Sequence, residues 1–397
     1  MTRPRLELNE FLADPFGTLR TARNGGWLAD LMGGVAVLAH DDVRTLLSDP
    51  RLHANFPEFL QTWGITSGPF YEWMALSPLN RDGAEHQRWR ALMARTFTPR
   101  RVEAIRPFLR TAAGELVEAF AGRGHCEFMG EFADAYPSLG LCELIGVPKE
   151  DRGRFRGWAN TIGLGFNPIE VVGRIADIDA ALLQLLAYTG ELTAARRAAP
   201  RDDLVSHIAV AGREEGWSDE AVQGMIAGLV FAGHETTKTQ LGWMIAVLSA
   251  RADLWDAVAD GGLAAADLVE EVLRFRSAAT GVGRRVDTVV EHRGERLEPG
   301  TQVLLSLWSA DHDEAVYPSP DAVDPARNAE VPHMAFGHGA HHCLGAALAR
   351  AELCEALVAL TSGITCPAIG DGAVWKPPVG INGPERLPIT FTPRGAA

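Results

Sequence analysis

One cysteine in a glycine-rich loop is the most chemically pointed feature of the chain. Phe336-Gly-His-Gly-Ala-His-His-Cys-Leu-Gly345 places Gly337, Gly339 and Gly345 around Cys343, and the apolar spacing of 344–360 predicts a helix immediately after it, ending near Gly363. The free N–H groups and dipole at such a helix start favour a thiolate. The glycines let the backbone approach a bulky planar ligand. A lone cysteine held this way suits a metal bound through a single axial sulfur bond. Other readings compete. His338, His341, His342 and Cys343 could form a zinc cluster, but no second cluster stands at zinc spacing. The glycines do not form G-x-G-x-x-G, so a nucleotide loop is unsupported. A buried, inert cysteine leaves Phe336 and the three glycines unexplained.

The second feature is Ala232-Gly-His-Glu-Thr-Thr237, in the middle of a helical pattern running from the N-cap Ser218 to about Ala250. About 30 residues at 1.5 Å each make a helix of about 45 Å, enough to cross a whole domain. Gly233 costs about 1 kcal/mol against Ala there. Thr236 and Thr237 can bond back to the preceding turn, and Glu235 puts a carboxylate into an apolar stretch. Local rules broken at one spot mark a functional site; the alternative is a polar surface stripe. His234-Glu235 begins like H-E-x-x-H, but Lys238 stands where the second His belongs, and no zinc-deaminase P-C-x-x-C follows.

These features must be positioned by a large fold. The chain has 397 residues, 47% hydrophobic and 22% charged, an ordinary globular composition. Its net charge of −14 argues against a general nucleic-acid binder. Cys126, Cys142, Cys343, Cys354 and Cys366 are odd in number and form no C-x-x-C, so a disulfide framework is not expected. The N-terminus lacks an apolar signal-peptide core and no run of 18 apolar residues occurs; we expect a cytoplasmic monomer with no membrane attachment. From about 98 to 276 the pattern is mostly helical, as in 101–121 and 178–197. Strands are predicted at 35–38, at 288–292 with a turn at Arg293-Gly, at 302–306 and at 387–391. We therefore expect a mainly α single domain with small peripheral β-sheets.

The loop Phe336-Gly-x-Gly-x-His-x-Cys343-x-Gly345 resembles the haem-binding signature of the cytochrome P-450 superfamily, whose haem iron is held by a cysteine thiolate. Ala232-Gly-His-Glu-Thr-Thr237 is similar to its oxygen-activating helix motif, Glu271-Val-Leu-Arg274 to its E-x-x-R motif, and Tyr317-Pro-Ser-Pro-Asp through Arg327 to its meander. The resemblance implies the cytochrome P-450 fold over 1–397: a β-containing lobe of about 1–80 with 284–307 and the C-terminal strands, and a helical lobe of about 81–276 and 343–363, with a long helix over the haem. It implies haem b on Cys343, with Phe336, Gly337, Gly339, Gly345, Ala232 and Gly233 around it. His86, Arg90, Arg284 and His341 would serve the propionates; His86 and Arg90, four apart, share one helical face. Glu271, Arg274 and Arg327 would form a structural lock. Three departures stand out: Val323 for a common aromatic, Asp311-His-Asp for Asn-Arg-Asp, and Ala278-Ala279 where proline is frequent.

The implied activity is O2-dependent monooxygenation with two externally supplied electrons, in which Thr236 and Glu235 relay protons and Gly233 lets the helix open. Ferredoxin and its NAD(P)H-dependent reductase would supply the electrons, since no flavin or nicotinamide motif appears. From Arg81 to Arg110 eight arginines face Asp82, Glu85 and Glu103, a local +5 that suits an acidic ferredoxin; binding propionate or solvating a helix is the alternative use of that charge. The aromatic stretch 56–74 suggests a lid over a fairly large apolar or aromatic substrate. Phe59, Trp63, Phe70, Trp73, Ile162, Gly228, Ala279, Val282, Ile381 and Asn382 are the pocket candidates. Core packing is the alternative for the aromatics. Hydroxylation in natural-product biosynthesis is the expected reaction. Oxidative C–C or C–O coupling on the same scaffold, a haem sensor or electron carrier, and a zinc hydrolase are the competing functions.

Overall fold

In the computed structural model, residues 3–167, 170–327 and 331–394 are described. The predicted helices form at Pro99–Ala121, Val171–Ala198, Asp219–Leu248 and Ala346–Gly363, with small end shifts except in the second, which starts seven residues before the predicted 178. Ser218 caps the long central helix by accepting from Ala221 N at 3.2 Å, and Asp219 and Glu220 occupy its positive first turn. The helix runs unbroken for 30 residues, so the opening expected at Gly233 is absent. Thr236 takes up its hydroxyl internally, donating to Ala232 O at 2.8 Å.

The central helix is buried by elements on several sides. Val171–Ala198 and Arg152–Gly163 cross it, Ala135–Ile145 packs beside its middle, and the cysteine helix Ala346–Gly363 meets it from below while lying along Pro99–Ala121. The core here is aromatic. Phe128, Phe132 and Tyr136 stack at 5.3 and 5.4 Å, and Phe70, Phe166, Trp73 and Phe231 pack together over the central helix.

Among the described residues the largest sheet has five strands, and three smaller ones accompany it; the C-terminal strand Pro388–Thr390 pairs with His125–Glu127 and Ala368–Ile369, so it does not join the N-terminal β-part as expected. Strands β1 (Leu28–Leu31), β2 (Gly34–Val37), β3 (Leu52–Ala54), β4 (Val282–Val286) and β5 (Gln302–Leu305) lie in the order β1-β2-β5-β4-β3. Only β2 and β5 pair in parallel. Arg284 lies on β4 between Ala54 and Val303, which presents it from the sheet toward the helical half. Arg293 and Gly294 make the predicted turn, both at positive φ, but the strand that pairs across it is Glu295–Leu297, while the predicted strand at 302–306 lies in the five-stranded sheet. Among the described residues no helix is long and apolar enough to cross a membrane.

Candidate active site

The cysteine loop is closed by its own backbone. Cys343 N donates to Phe336 O at 2.9 Å, Gly337 N to Met334 O at 2.7 Å and His342 N to Gly339 O at 3.1 Å. Gly339 is at φ +73°, and a Cβ there would lie 2.7 Å from Ser48 Oγ and 2.9 Å from Leu47 O. Its role is thus close packing on the helix His40–Leu47, which differs from the expected approach to a ligand. Gly345 has an ordinary φ, but a Cβ there would meet only Cys343 Sγ, at 3.9 Å. Its missing side chain keeps the approach to the sulfur open. Phe336 is covered by the Arg350 guanidinium at 4.5 Å, and Arg350 is held by Glu270 at 2.6 and 2.9 Å.

Protein surrounds Cys343, yet the residue keeps accessible surface, so it lines an interior cleft. Burial raises its thiol pKa; the Gly345 N–H, Arg90 and Arg350 pull it down but do not win. The helix start favours the thiolate in sign only, and a metal bound at the sulfur would favour its ionisation. Among the described residues no three His, Cys, Asp or Glu could hold a metal ion together, so the zinc cluster finds no geometric support.

Beside the loop lies a cationic cluster. His86 stacks on His341 at 4.2 Å, and His341 Nε2 meets Asp82 Oδ1 at 2.8 Å. Arg90 reaches only His342 O, at 2.8 Å, and the Arg284 side chain only Gly283 O, at 2.9 Å. Neither arginine has a carboxylate partner among the described residues, although Arg284 is buried. Burial pushes the His86 pKa down to about 4, helped by His341 and Arg90. Burial would raise that of Asp82, but His341 and the Ala54 N–H hold it at about 2. One carboxylate among two guanidiniums and two imidazoles leaves donors unspent, which suits an anionic ligand with two carboxylates. Asp82, which orients His341, was not apparent from the sequence because its partner lies 259 residues away.

The expected lock residues are brought together. Arg274 donates to both Glu271 oxygens at 2.9 and 2.8 Å, and Arg327 Nε reaches Glu271 Oε1 at 3.5 Å. Arg274 also donates to Asp311 O, and Arg327 to Pro318 O and Ala322 O, tying the meander to the helix Ala265–Phe275. His312, in place of the usual arginine, is buried and kept neutral, its pKa pushed to about 3 by burial and by Arg276.

On the central helix, His234 and Glu235 are buried, which removes the surface-stripe reading. An accessible strip runs through Gly228, Ala232, Gly233 and Thr236. Glu235 forms ion pairs with Lys376 Nζ at 2.5 Å and Lys238 Nζ at 3.5 Å. Burial alone would raise its pKa, but the two lysines hold it below the usual value. Sequence reasoning missed both lysine partners.

The pocket candidates divide. Phe59 and Trp63 stay accessible, and Trp73 lies over the central helix, 4.0 Å from where a Gly228 Cβ would be. Ala279, Val282 and Ile381 are partly accessible, with Ala279 and Ile381 bridged. Three candidates are corrected. Phe70 and Ile162 are fully buried core residues. Asn382 is buried and spends its amide on Lys376 O and Pro377 O at 2.7 and 2.8 Å, bracing its own loop. The arginine patch is also reduced. Arg81, Arg95, Arg101, Arg106 and Arg110 each pair with an acid. Arg88 covers Trp217, and Arg90 belongs to the cluster above. Arg100 alone of the eight is exposed without a described partner.

The sequence profile of the family described as Cytochrome P450 matches residues 265–361, from the helix of the lock through the cysteine helix. The chain is 31% identical over 371 residues to luteothin monooxygenase of Streptomyces thioluteus, covering 93% of this chain and 91% of that protein. It is 33% identical to mycinamicin IV hydroxylase/epoxidase of Micromonospora griseorubida, over 89% of each. The solved structure of CalO2 superimposes with a TM-score of 0.90 at 26% identity, over 97% of this chain and 98% of that one. Lock, cysteine loop and full-length similarity converge: the chain belongs to the cytochrome P450 family and is a P450 monooxygenase of bacterial type. The family implies a thiolate-ligated haem, and the most exposed thiol of the chain, beside an unsatisfied cationic cluster, fits it.

Proposed function

We propose that this P450 hydroxylates a fairly large apolar or aromatic small molecule in natural-product biosynthesis. The observation that carries the haem assignment is the convergence of Cys343 with Arg90 and Arg284, two guanidiniums with no carboxylate ion pair among the described residues. Cys343 would ligate the iron; Arg90, Arg284, His86 and His341 would hold the two propionates. Bound haem supplies the activation of O2, which thiolate ligation favours. The chain does the rest. Gly345 leaves the sulfur open, and Arg350 keeps Phe336 in place. Thr236 presents its hydroxyl oxygen to the cleft while its proton rests on Ala232 O, so it can accept one proton and pass on another. Glu235, the next residue, would link that hydroxyl to the polar network of Lys238, Asp134 and Arg156. Phe59, Trp63, Trp73, Val282 and Ile381 would exclude water and orient the substrate.

The relatives named for luteothin and for mycinamicin IV support a large organic substrate. Electrons would come from a ferredoxin and its NAD(P)H-dependent reductase, docking near Arg100. The test is the absorption spectrum of the purified, reduced protein with carbon monoxide. The red-shifted Soret band of thiolate-ligated haem is expected, and its loss in Cys343→Ala. A band of histidine-ligated haem, or no haem band, overturns the assignment. Incorporation of labelled oxygen into product then separates hydroxylation from coupling, which incorporates none.

A further inference from the structure

Lysine is scarce here, and two lysines meet at one carboxylate. Lys149, Lys238 and Lys376 are the only lysines among 37 basic residues. Lys376 and Lys238 converge on Glu235, and all three side chains are largely withdrawn from solvent, at 18%, 20% and 8% exposure. An ion pair so enclosed is strong when intact and costly to leave half-made.

The two lysines arrive differently. Lys238 is one turn along the same helix and moves with Glu235. It also donates to Asn160 Oδ1 at 2.9 Å and lies 3.4 Å from Asp134. His234 shares both partners, and the half-exposed Arg156 lies 3.5 Å from Asp134, which carries the network to the surface. Lys376 comes from a separate, closed loop. Its N–H donates to Gly383 O at 3.0 Å, and the Asn382 amide clamps the carbonyls of Lys376 and Pro377. Trp243 of the central helix donates to Asn382 O at 2.7 Å and packs on Trp375 at 5.0 Å. The same loop carries Ile381, bridged to Ala279, and Gly380, whose carbonyl accepts from Thr280 N. One braced unit therefore holds both a pocket-wall residue and the stronger counter-ion of Glu235.

We infer that Lys376 is a positioning residue that fixes the Glu235 carboxylate and couples it to the pocket-wall loop 375–383. The inference rests on the relay reading of Glu235. A carboxylate gripped by a residue outside its own helix has its side-chain direction set by that outside element. Whatever presses on the loop at Ile381 is thereby felt at Glu235. By linkage the effect is reciprocal: Glu235 must also hold the loop. The charged and titratable groups around Glu235 are Lys376 from the loop, Lys238 and His234 from its own helix, and Asp134 beyond Lys238.

Two measurements on the haem-loaded protein test this. The first is the infrared C=O band of protonated Glu235, identified by its loss in Glu235→Gln and followed as pH falls. In Lys376→Met the band is expected to appear about one pH unit higher than in the wild-type chain, because a cation has left. Lys376→Arg should restore the wild-type midpoint, and Lys376→Gln should repeat the Met result if the Met variant folds poorly. An unmoved midpoint overturns the inference. The second is hydrogen exchange at Lys376 N–H and its loop neighbours. In Glu235→Gln these are expected to exchange about tenfold faster, the loss of one bonded ion pair in a locally opening unit. Unchanged exchange likewise overturns it. The relay reading fails by a different sign: Glu235→Gln leaves product formation intact whatever the band and the loop do.

Discussion

On the cysteine side of the cleft, position is set by ions and backbone hydrogen bonds. Glu271, Arg274 and Arg327 spend their donors and acceptors on one another and on the carbonyls of Asp311, Pro318 and Ala322. Glu270 and Arg350 do the same under Phe336. On the opposite side, the middle of the central helix and its lid are set by apolar packing of Phe70, Trp73, Phe166 and Phe231, beside a single charged network in which Lys376 and Lys238 hold Glu235. The contrast follows from what each side must do. A ligand-bearing loop has to hold one atom in place. A reaction chamber has to stay dry and still admit protons at a single point.

Breaking each side should therefore give a different signature. The largest effect is expected for Arg274→Ala, which strands the buried Glu271 carboxylate at a cost of about 3–5 kcal/mol. Thermal unfolding should show little folded, haem-loaded protein. Phe70→Ala comes next, at about 3–5 kcal/mol of stability, whereas the exposed Trp63→Ala should stay within about 0.5 kcal/mol and alter only ligand affinity. Equal losses from the two would mean the division of the lid into core and mouth is wrong. Thr236→Val should lower product formation about 10²-fold with little change in unfolding midpoint; Glu235→Gln should lower it as much and also lower the midpoint, because Lys376 and Lys238 lose their carboxylate.

Smaller effects separate the sides by pH and salt. Burial raises the pKa of Glu270, but His333 and Arg350 outweigh it and bring the value from 4.5 to about 2. Its contribution is thus present above 4.5 and fades as pH falls toward 2, loosening the support of Phe336. Glu270→Gln should flatten that acid limb in a series of melting curves. Smallest of all, Arg100→Glu should slow reduction by ferredoxin a few-fold, more at low salt. A rate that ignores both the charge and the salt would remove Arg100 from the docking surface.

Much of the site was legible because its motifs are local. His86 and Arg90 lie on one helix, Glu271 and Arg274 on another, and Cys343 stands three residues before a helix whose periodicity is plain. The pocket was less legible. Aromatics at 56–74 read alike in sequence, yet Phe70 fills the core against Phe231 while Trp63 stands in solvent. Asn382 looked like a wall residue and proved to be a loop brace, since its hydrogen bonds depend on a turn that sequence alone does not show. The arginine run read as a surface of one sign, but Glu215, Asp202 and Glu355, brought in from other elements, neutralise much of it.

The sequence by itself determined the family and the lock, and singled out Cys343 and the pair Glu235 and Thr236 as candidates, because residue type and helical spacing carry those. Tertiary structure alone decided which side chains face the cleft. It also brought Lys376 across 141 residues to Glu235, and left Arg90 and Arg284 without a carboxylate ion pair among the described residues. Burial and charge pairing are properties of neighbours in space, and nothing in the local pattern specifies who those neighbours are.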